Sequence, residues 1–306
     1  MSNLRTIGLV MGIAVMCLLA AGRAEALNIQ FDYRFDANGM FDVPQRVAAL
    51  EAAASIYERF ADELTAIQPG GGNTWSVSLT RPDGGGTAVV DDLAVAADTV
   101  VIFVGGWSFH PWVLGFAGQG QIVNAAGSDE WFDTLAARGQ SGTLADQPTD
   151  YGPWGGAITF NTNVDWHYDP AVAPTGPQPD FLTTAMHELG HILGFGEADS
   201  WFELISEGEG GTLLFNGAHT VDLLGEPAEL DQYGSHWAEG TYSTVDGVLQ
   251  ETAMDPSTPR GQRQLMTVLD YAGFADIGWE ITAVPEPTGL AVMMSVMAIM
   301  WRSHRM

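Results

Sequence analysis

The chain has 306 residues, a net charge of −27 and no lysine. Its two ends together contribute +3 to that total when Glu286 is counted with the body, so the part between them carries about −30. Such a surface repels nucleic acid and anionic lipid, and it favours solubility in salt-rich surroundings or beside divalent cations. The composition therefore argues against a nucleic-acid-binding protein, while the length allows one large domain or two small ones.

The first 26 residues are typical of an export signal peptide. Arg5 precedes an apolar run from residue 7 to residue 21, and Ala24-Glu25-Ala26 is a small-x-small cleavage site. Cleavage there makes Leu27 the first residue of the mature chain. The only cysteine, Cys17, lies within this signal, so we expect no disulfide in the exported protein.

The spacing of apolar residues predicts the order strand, helix, strand, strand at the start of the mature chain. Residues 27–35 alternate apolar and polar side chains, as a half-buried strand does. Helical spacing from Val43 to Ile67 predicts one long amphipathic helix, ended by the proline and glycines that follow. Residues 75–79 and 99–104 are predicted strands, and the second is apolar enough to lie in the middle of a sheet.

Residues 105–156 are rich in glycine, aromatics and short breaks. They predict long loops with a single helix over residues 129–137. Residues 155–161 then predict a strand just before the next helix. A strand in this place at the edge of the sheet could bind an extended peptide by pairing with it. The alternative is an ordinary edge strand that binds no peptide.

The run His187-Glu188-Leu189-Gly190-His191 predicts a metal site on a helix. Positions i and i+4 share one helix face, so both imidazoles can reach one cation, with Glu188 beside it as a general base. The simpler alternative is a polar patch on a surface helix. Apolar neighbours indicate a half-buried helix instead, where unpaired polar groups cost about 1–3 kcal/mol each.

Glycine and aspartate define the ends of this predicted helix. Asp180 is the predicted N-cap, and Gly194 and Gly196 end the helix. A glycine three residues after the second histidine lets the chain turn sharply and return a later residue to the metal. Glu197 could be that third ligand, since a carboxylate can bind zinc, and His219 is another candidate.

The motif resembles that of the metzincin metalloproteases, His-Glu-x-x-His-x-x-Gly-x-x-His followed by a methionine turn. The match runs through Gly194, but Glu197 stands where that family usually has histidine. Residues 197–235 look like an insertion, in which residues 213–223 predict a hairpin around Asn216-Gly217. The segment Ser235-His236-Trp237 follows.

The order of Gly194, an insertion, a delayed histidine and then a methionine turn at Met254 resembles leishmanolysin-type metzincins. This resemblance implies that His236 is the third ligand. It also implies that Met254 forms an apolar floor beneath the metal. A glutamate ligand such as Glu207 or Glu209 would indicate a different class of zinc protease, against which Gly194 and Met254 argue.

Two other histidines, His110 and His167, lie in predicted loops. They could belong to a second metal site, although loop histidines more often make local hydrogen bonds. Residues 265–274 predict a closing helix. The resemblance implies an α+β, metzincin-like protease domain over residues 27–283. In it a twisted mixed sheet carries a long helix and an active-site helix, and a mainly helical C-terminal subdomain follows.

The function implied by the resemblance is that of a zinc endopeptidase acting on proteins or peptides. Zinc would bind His187, His191 and His236, and Glu188 would be the general base. The alternative is a catalytically inactive surface or matrix binding protein that retains a structural zinc site. A closed set of four ligands would favour that alternative.

Residues 284–306 combine Pro285-Glu286-Pro287, an apolar run of 13 residues and a terminal pair of arginines. This order resembles the PEP-CTERM sorting signal of Gram-negative bacteria. The resemblance implies recognition by an exosortase, transient passage of the segment through the membrane, and delivery to the cell surface or extracellular matrix.

Overall fold

The computed structural model describes residues 26–282. The predicted signal peptide, apart from Ala26, and the predicted sorting segment lie outside the described residues. The helices are α1 (Pro44–Ala54), α2 (Asp129–Ala137), α3 (Phe181–Ile192), α4 (Asp199–Phe202), α5 (Ala218–Leu224) and α6 (Val268–Asp276). The strands are β1 (Asn28–Asp32), β2 (Thr74–Thr80), β3 (Thr87–Asp91), β4 (Thr99–Trp107), β5 (Gly115–Gln119), β6 (Gln121–Ala126), β7 (Gly155–Asn161), β8 (Ile205–Glu207), β9 (Leu213–Phe215), β10 (Ala228–Glu229), β11 (Tyr242–Val245) and β12 (Val248–Glu251).

The main sheet has the strand order β1-β4-β7-β5, in which β1, β4 and β7 are parallel and β5 is antiparallel to β7. Strand β4 is central, as its continuous apolar sequence predicts. Its alternate residues face opposite sides of the sheet. Ile102 packs into the cluster that contains α1 and α3, whereas Val101 and Phe103 pack with Trp75 and Trp154 on the other side.

The prediction that residues 155–161 form an edge strand is wrong. Strand β7 lies between β4 and β5, and all seven of its residues are buried. The edge position belongs to β5, which lies in the region predicted to be loops. That region also contains β6, which joins β2 and β3 in a second sheet. Glycines and polar residues in β5 and β6 leave neither apolar alternation nor an apolar run to indicate a strand.

The long helix predicted over residues 43–67 is only partly correct. Helix α1 ends at Ala54, a 3₁₀ turn runs from Ser55 to Arg59, and the chain then becomes extended. Phe60 forms an antiparallel bridge with Ile281, and its carbonyl accepts a hydrogen bond from Leu27. Pairing between distant segments therefore ends the helix, while Leu64 and Ile67 are buried without being helical.

The predicted helix with the histidine pair is α3, and both predictions about its ends are correct. Asp180 is the N-cap and accepts hydrogen bonds from the backbone and hydroxyl of Thr183. Gly194 follows the helix with φ = +101°, a backbone conformation that favours glycine. Every residue of α3 except His187 is buried, so the helix is part of the core rather than a surface element.

The C-terminal part is mixed rather than mainly helical. Strands β8, β9 and β10 form one small antiparallel sheet, and β11 pairs with β12. The predicted hairpin over residues 213–223 is also wrong, because α5 occupies its second half. The carboxylate of Asp276 accepts the backbone N–H groups of His219 and Thr220 at 2.7 and 3.0 Å, which stabilises the start of that helix.

The closing helix α6 begins at Val268, three residues later than predicted. Thr267 and Asp270 form a capping box that fixes this start. The described chain is therefore α+β with open mixed sheets, which agrees with the predicted fold class. None of the helices within residues 26–282 has the length and apolar character needed to cross a membrane.

Candidate metal centre

Helix α3 and a loop 45 residues further along the chain bring three histidines together. The Nε2 atoms of His187 and His191, one helical turn apart, are separated by 3.1 Å. The Nε2 atom of His236 lies 3.1 Å from that of His191 and 3.3 Å from that of His187. All three predicted ligands therefore meet at one point.

The second nitrogen of each imidazole has an acceptor. His187 Nδ1 donates to the carbonyl of Ala253, and His191 Nδ1 donates to the carbonyl of Phe195, both at 2.8 Å. His236 Nδ1 lies 3.3 Å from the Asp231 carboxylate. Because carbonyls only accept, the proton of each neutral ring resides on Nδ1, and the Nε2 lone pairs converge. Three converging lone pairs form a site that could bind a metal ion.

Burial and mutual repulsion favour the neutral form of these rings. Burial, followed by the nearby rings of His191 and His236, holds the pKa of His187 well below its usual range. Burial likewise lowers the pKa of His191 to about 4. Burial also lowers the pKa of His236, although Asp231 partly opposes this. Neutral imidazole is the form that coordinates metals.

A dense set of contacts positions the loop that carries His236. The backbone N–H of Trp237 donates to the carbonyl of Met254 at 3.0 Å. The indole N–H of Trp201 donates to the carbonyl of Gly234 at 2.7 Å. Asp231 accepts the backbone N–H of Ser235 as well as facing the His236 ring. Asp231 was not among the residues predicted for the site, although a carboxylate five residues before a candidate ligand is a recognisable signal.

Met254 lies against helix α3 close to the histidines, and it is fully buried. A Cβ atom added to Gly190 would lie 2.7 Å from the Met254 sulfur, so the Met254 side chain packs directly on the helix at that point. The preceding carbonyl, that of Ala253, orients the His187 ring. Met254 therefore supports the site, and its sulfur is not one of the converging ligand atoms.

Glu188 is buried beside the triad, against the edge strand β5. A Cβ atom added to Gly115 would lie 3.1 Å from Glu188 Oε1, so the carboxyl group lies against this strand. Burial raises the pKa of Glu188 to about 8. Its place beside the candidate metal site, rather than this value, positions Glu188 to accept and return a proton.

The alternative third ligands lie elsewhere. Glu197 lines a separate recess with Tyr151. His219 is exposed on α5, and Glu207 and Glu209 are exposed near β8. Among residues 26–282, the group of converging ligand atoms at this site contains only the three histidines.

Neither loop histidine joins the group. His167 Nε2 lies 2.6 Å from the carbonyl of Val172. The ring of His110 stacks on that of Trp112, with centroids 6.3 Å apart. Both rings therefore have local partners.

A recess of about 450 Å³ opens beside His187 and Glu188. One wall is formed by residues 112–115, which lead into β5, and the other by residues 256–260, which follow Met254. Trp112 in the first wall is 80 % exposed. The candidate metal centre is therefore reachable from solvent through an open recess next to a sheet edge.

No protein-family model matches the chain, and no curated protein matches it. The described residues supply three convergent imidazoles, one buried glutamate and an adjacent recess.

Proposed function

We propose that the protein is an exported zinc-dependent endopeptidase of the metzincin type. The observation that carries this proposal is the convergence of three imidazole lone pairs beside the buried carboxyl of Glu188, with His187 and Glu188 lining an open recess. A metal centre with a neighbouring proton acceptor and access for a substrate suits hydrolysis of a carbonyl compound.

The donor set supports zinc as the metal. Three nitrogen ligands at about 2.0–2.1 Å from a tetrahedral zinc ion lie about 3.3–3.4 Å from one another. The three Nε2 separations of 3.1, 3.1 and 3.3 Å are close to this value. Within residues 26–282 no fourth histidine or carboxylate joins the group, and three protein ligands with a further open position are typical of catalytic rather than structural zinc.

The metal, Glu188 and the residues that orient the histidines would each have a separate part in the reaction. When bound, zinc supplies the Lewis acid that polarises a peptide carbonyl and acidifies a water molecule. Glu188 accepts a proton from the attacking water and returns it to the departing amine. The acceptors at Ala253, Phe195 and Asp231 hold the three rings in the orientation that directs Nε2 to the metal.

The edge strand β5 supports a peptide as the substrate. It pairs with β7 on one side, and no strand within the described residues pairs with its other side. An extended peptide can add to such an edge by main-chain hydrogen bonds. Because Glu188 contacts the region of Gly115 and Ala117 on the same strand, a peptide bound there would pass over the metal centre.

The setting of this activity is proposed from the sequence ends. Residues 1–26 would direct export, and residues 284–306 would be recognised by an exosortase and pass transiently through the membrane. The expected location is the surface or extracellular matrix of a Gram-negative bacterium. Appending residues 284–306 to an unrelated exported protein, in a host that has an exosortase, tests this: the fusion should be processed, and Glu286→Ala should prevent it.

The test of the enzymatic proposal is zinc stoichiometry measured together with cleavage of an unstructured protein such as casein. We expect one zinc per chain and cleavage that stops on chelation and returns with zinc. One tightly held zinc without any cleavage would instead support the alternative function, a surface binding protein with a structural metal.

A further inference from the structure

Arg260 is exceptional among the cations of this acidic chain. Seven arginines lie within residues 26–282, and six of them have a carboxylate, an aromatic ring or several carbonyls as partners. These are Arg34 with Asp32, Arg81 with Asp83, Arg263 with Asp180, Arg46 with Tyr168, Arg59 with Tyr271, and Arg138 with four backbone carbonyls. Arg260 makes a single hydrogen bond within the described residues, from Nη2 to the carbonyl of Pro111 at 3.3 Å.

Arg260 lies in the wall of the recess beside Glu188, where it is the only cationic side chain. Two hydroxyl groups of the wall have partners inside the protein. The hydroxyl of Ser257 donates to Glu239 at 2.6 Å, and that of Thr184 donates to the carbonyl of Asp180. A guanidinium has five N–H donors in a planar fork, so Arg260 keeps most of its donors for a ligand.

We infer that Arg260 selects substrates that place a carboxylate in this recess. The guanidinium fork matches a carboxylate in geometry and charge, and paired bonds of this kind are among the stronger hydrogen bonds in proteins. The carboxylate has two possible sources in a peptide, an acidic side chain or the free end of the chain. This inference rests on the proposed peptidase function and adds a substrate class to it.

The expected size of the preference follows from the strength of charge-assisted hydrogen bonds. A substrate with a carboxylate in the recess should be favoured about 10- to 100-fold over a neutral isostere. Arg260 is exposed, so substituting it should not prevent folding. If Arg260 only joined the two walls of the recess through Pro111, its substitution would change kcat/KM for all substrates alike. The preference for a carboxylate would then remain.

The first experiment measures kcat/KM on blocked peptides that differ only by glutamate or glutamine. The variable residue is placed in turn at each of three positions on either side of the cleaved bond. We expect one position at which the protein prefers glutamate. Arg260→Gln should reduce that preference to within about twofold, and Arg260→Glu should favour lysine at the same position. Arg34→Gln, which removes an equal charge far from the recess, should retain the preference.

A second peptide set assigns the source of the carboxylate. Peptides with glutamine at the chosen position carry either a free or an amidated C-terminus. If the free end is preferred and the preference requires Arg260, the recess accepts the chain terminus; otherwise it accepts the acidic side chain.

A binding measurement separates this inference from the proposed activity. In a Glu188→Gln background, the glutamate peptide should bind at least about 10-fold more tightly than the glutamine peptide, and only while Arg260 is present. Equal binding or cleavage of the two peptides at every position, or a preference that persists in Arg260→Gln, would overturn the inference. Charge-dependent binding without cleavage by the unsubstituted protein would retain it and reject the peptidase.

Discussion

The indole N–H of Trp237, the residue directly after the third histidine, donates to Asp270 Oδ1 at 3.0 Å. The same carboxylate accepts the backbone N–H groups of Ala253 and Met254 at 3.0 and 3.2 Å. One buried side chain of α6 therefore links the loop that carries His236 to the methionine turn that orients His187.

Replacing Asp270 by alanine should weaken both the fold and the metal centre. The change removes the acceptor of several buried N–H groups, each of which costs about 1–3 kcal/mol when unpaired. We expect the free energy of unfolding to fall by about 3 kcal/mol or more and the metal affinity to decrease, as measured by urea unfolding and zinc titration. Asp276→Ala is the matched control on the same helix. It should lower stability through α5 without altering metal affinity; equal affinities in both variants would contradict the link.

His236→Ala should abolish stoichiometric zinc binding, because two imidazoles of one helix leave the ion with too few protein ligands. Zinc content after dialysis measures this directly. Glu197→Ala and His219→Ala should each retain one zinc per chain, since neither side chain joins the convergent group. Loss of zinc in the Glu197 variant alone would assign the third ligand to that carboxylate instead.

Glu188→Gln should lower the rate of peptide cleavage by about 10²- to 10⁴-fold, the usual contribution of a positioned proton acceptor. The amide preserves the shape of the side chain, so zinc content and thermal stability should stay close to those of the parent. Steady-state kinetics and metal analysis on the same samples test both parts. Glu197→Gln is the control and should remain active. Cleavage at the parental rate by the Glu188 variant would refute its assignment as the general base.

Asp62 should make the protein less stable as the pH rises from about 4 to about 7. The side chain is buried, Oδ1 accepts the backbone N–H of Glu280, and Oδ2 has no partner within the described residues. Burial raises its pKa from 3.8 to about 7, and the charges of Asp150 and Glu280 add to the effect. Between these values the folded state holds a proton that the unfolded state has released, so stability falls with pH.

The Asp62→Asn substitution removes this titration. Its stability relative to the parent should therefore increase between pH 5 and pH 8, as measured by urea unfolding at both values. The exposed Asp133→Asn on α2 is the control and should change with pH as the parent does. A constant difference between Asp62→Asn and the parent across this range would show that Asp62 does not titrate there.

The sequence was most informative where local chemistry determines structure. The N-cap Asp180, the helical spacing of the histidines and the glycine at 194 were sufficient to predict α3. The position of His236 came from a resemblance in motif order, and the structure places it beside His187 and His191.

Predictions failed where distant segments decide the structure. Helix α1 ends early because Phe60 pairs with Ile281. Helix α5 is stabilised at its start by Asp276, whose carboxylate lies 57 residues from His219 in sequence. Strand β5 carries no apolar run of its own, so its edge position depends on pairing with β7.

The separation of 45 residues between His191 and His236 has a consequence for the unfolded chain. An ion bound by both would act as a cross-link, in a protein whose only cysteine lies in the predicted signal. A permanent cross-link that closes a loop of this length restricts the unfolded ensemble by about 4 kcal/mol. Removal of the metal would release that tether and return this entropy to the unfolded chain.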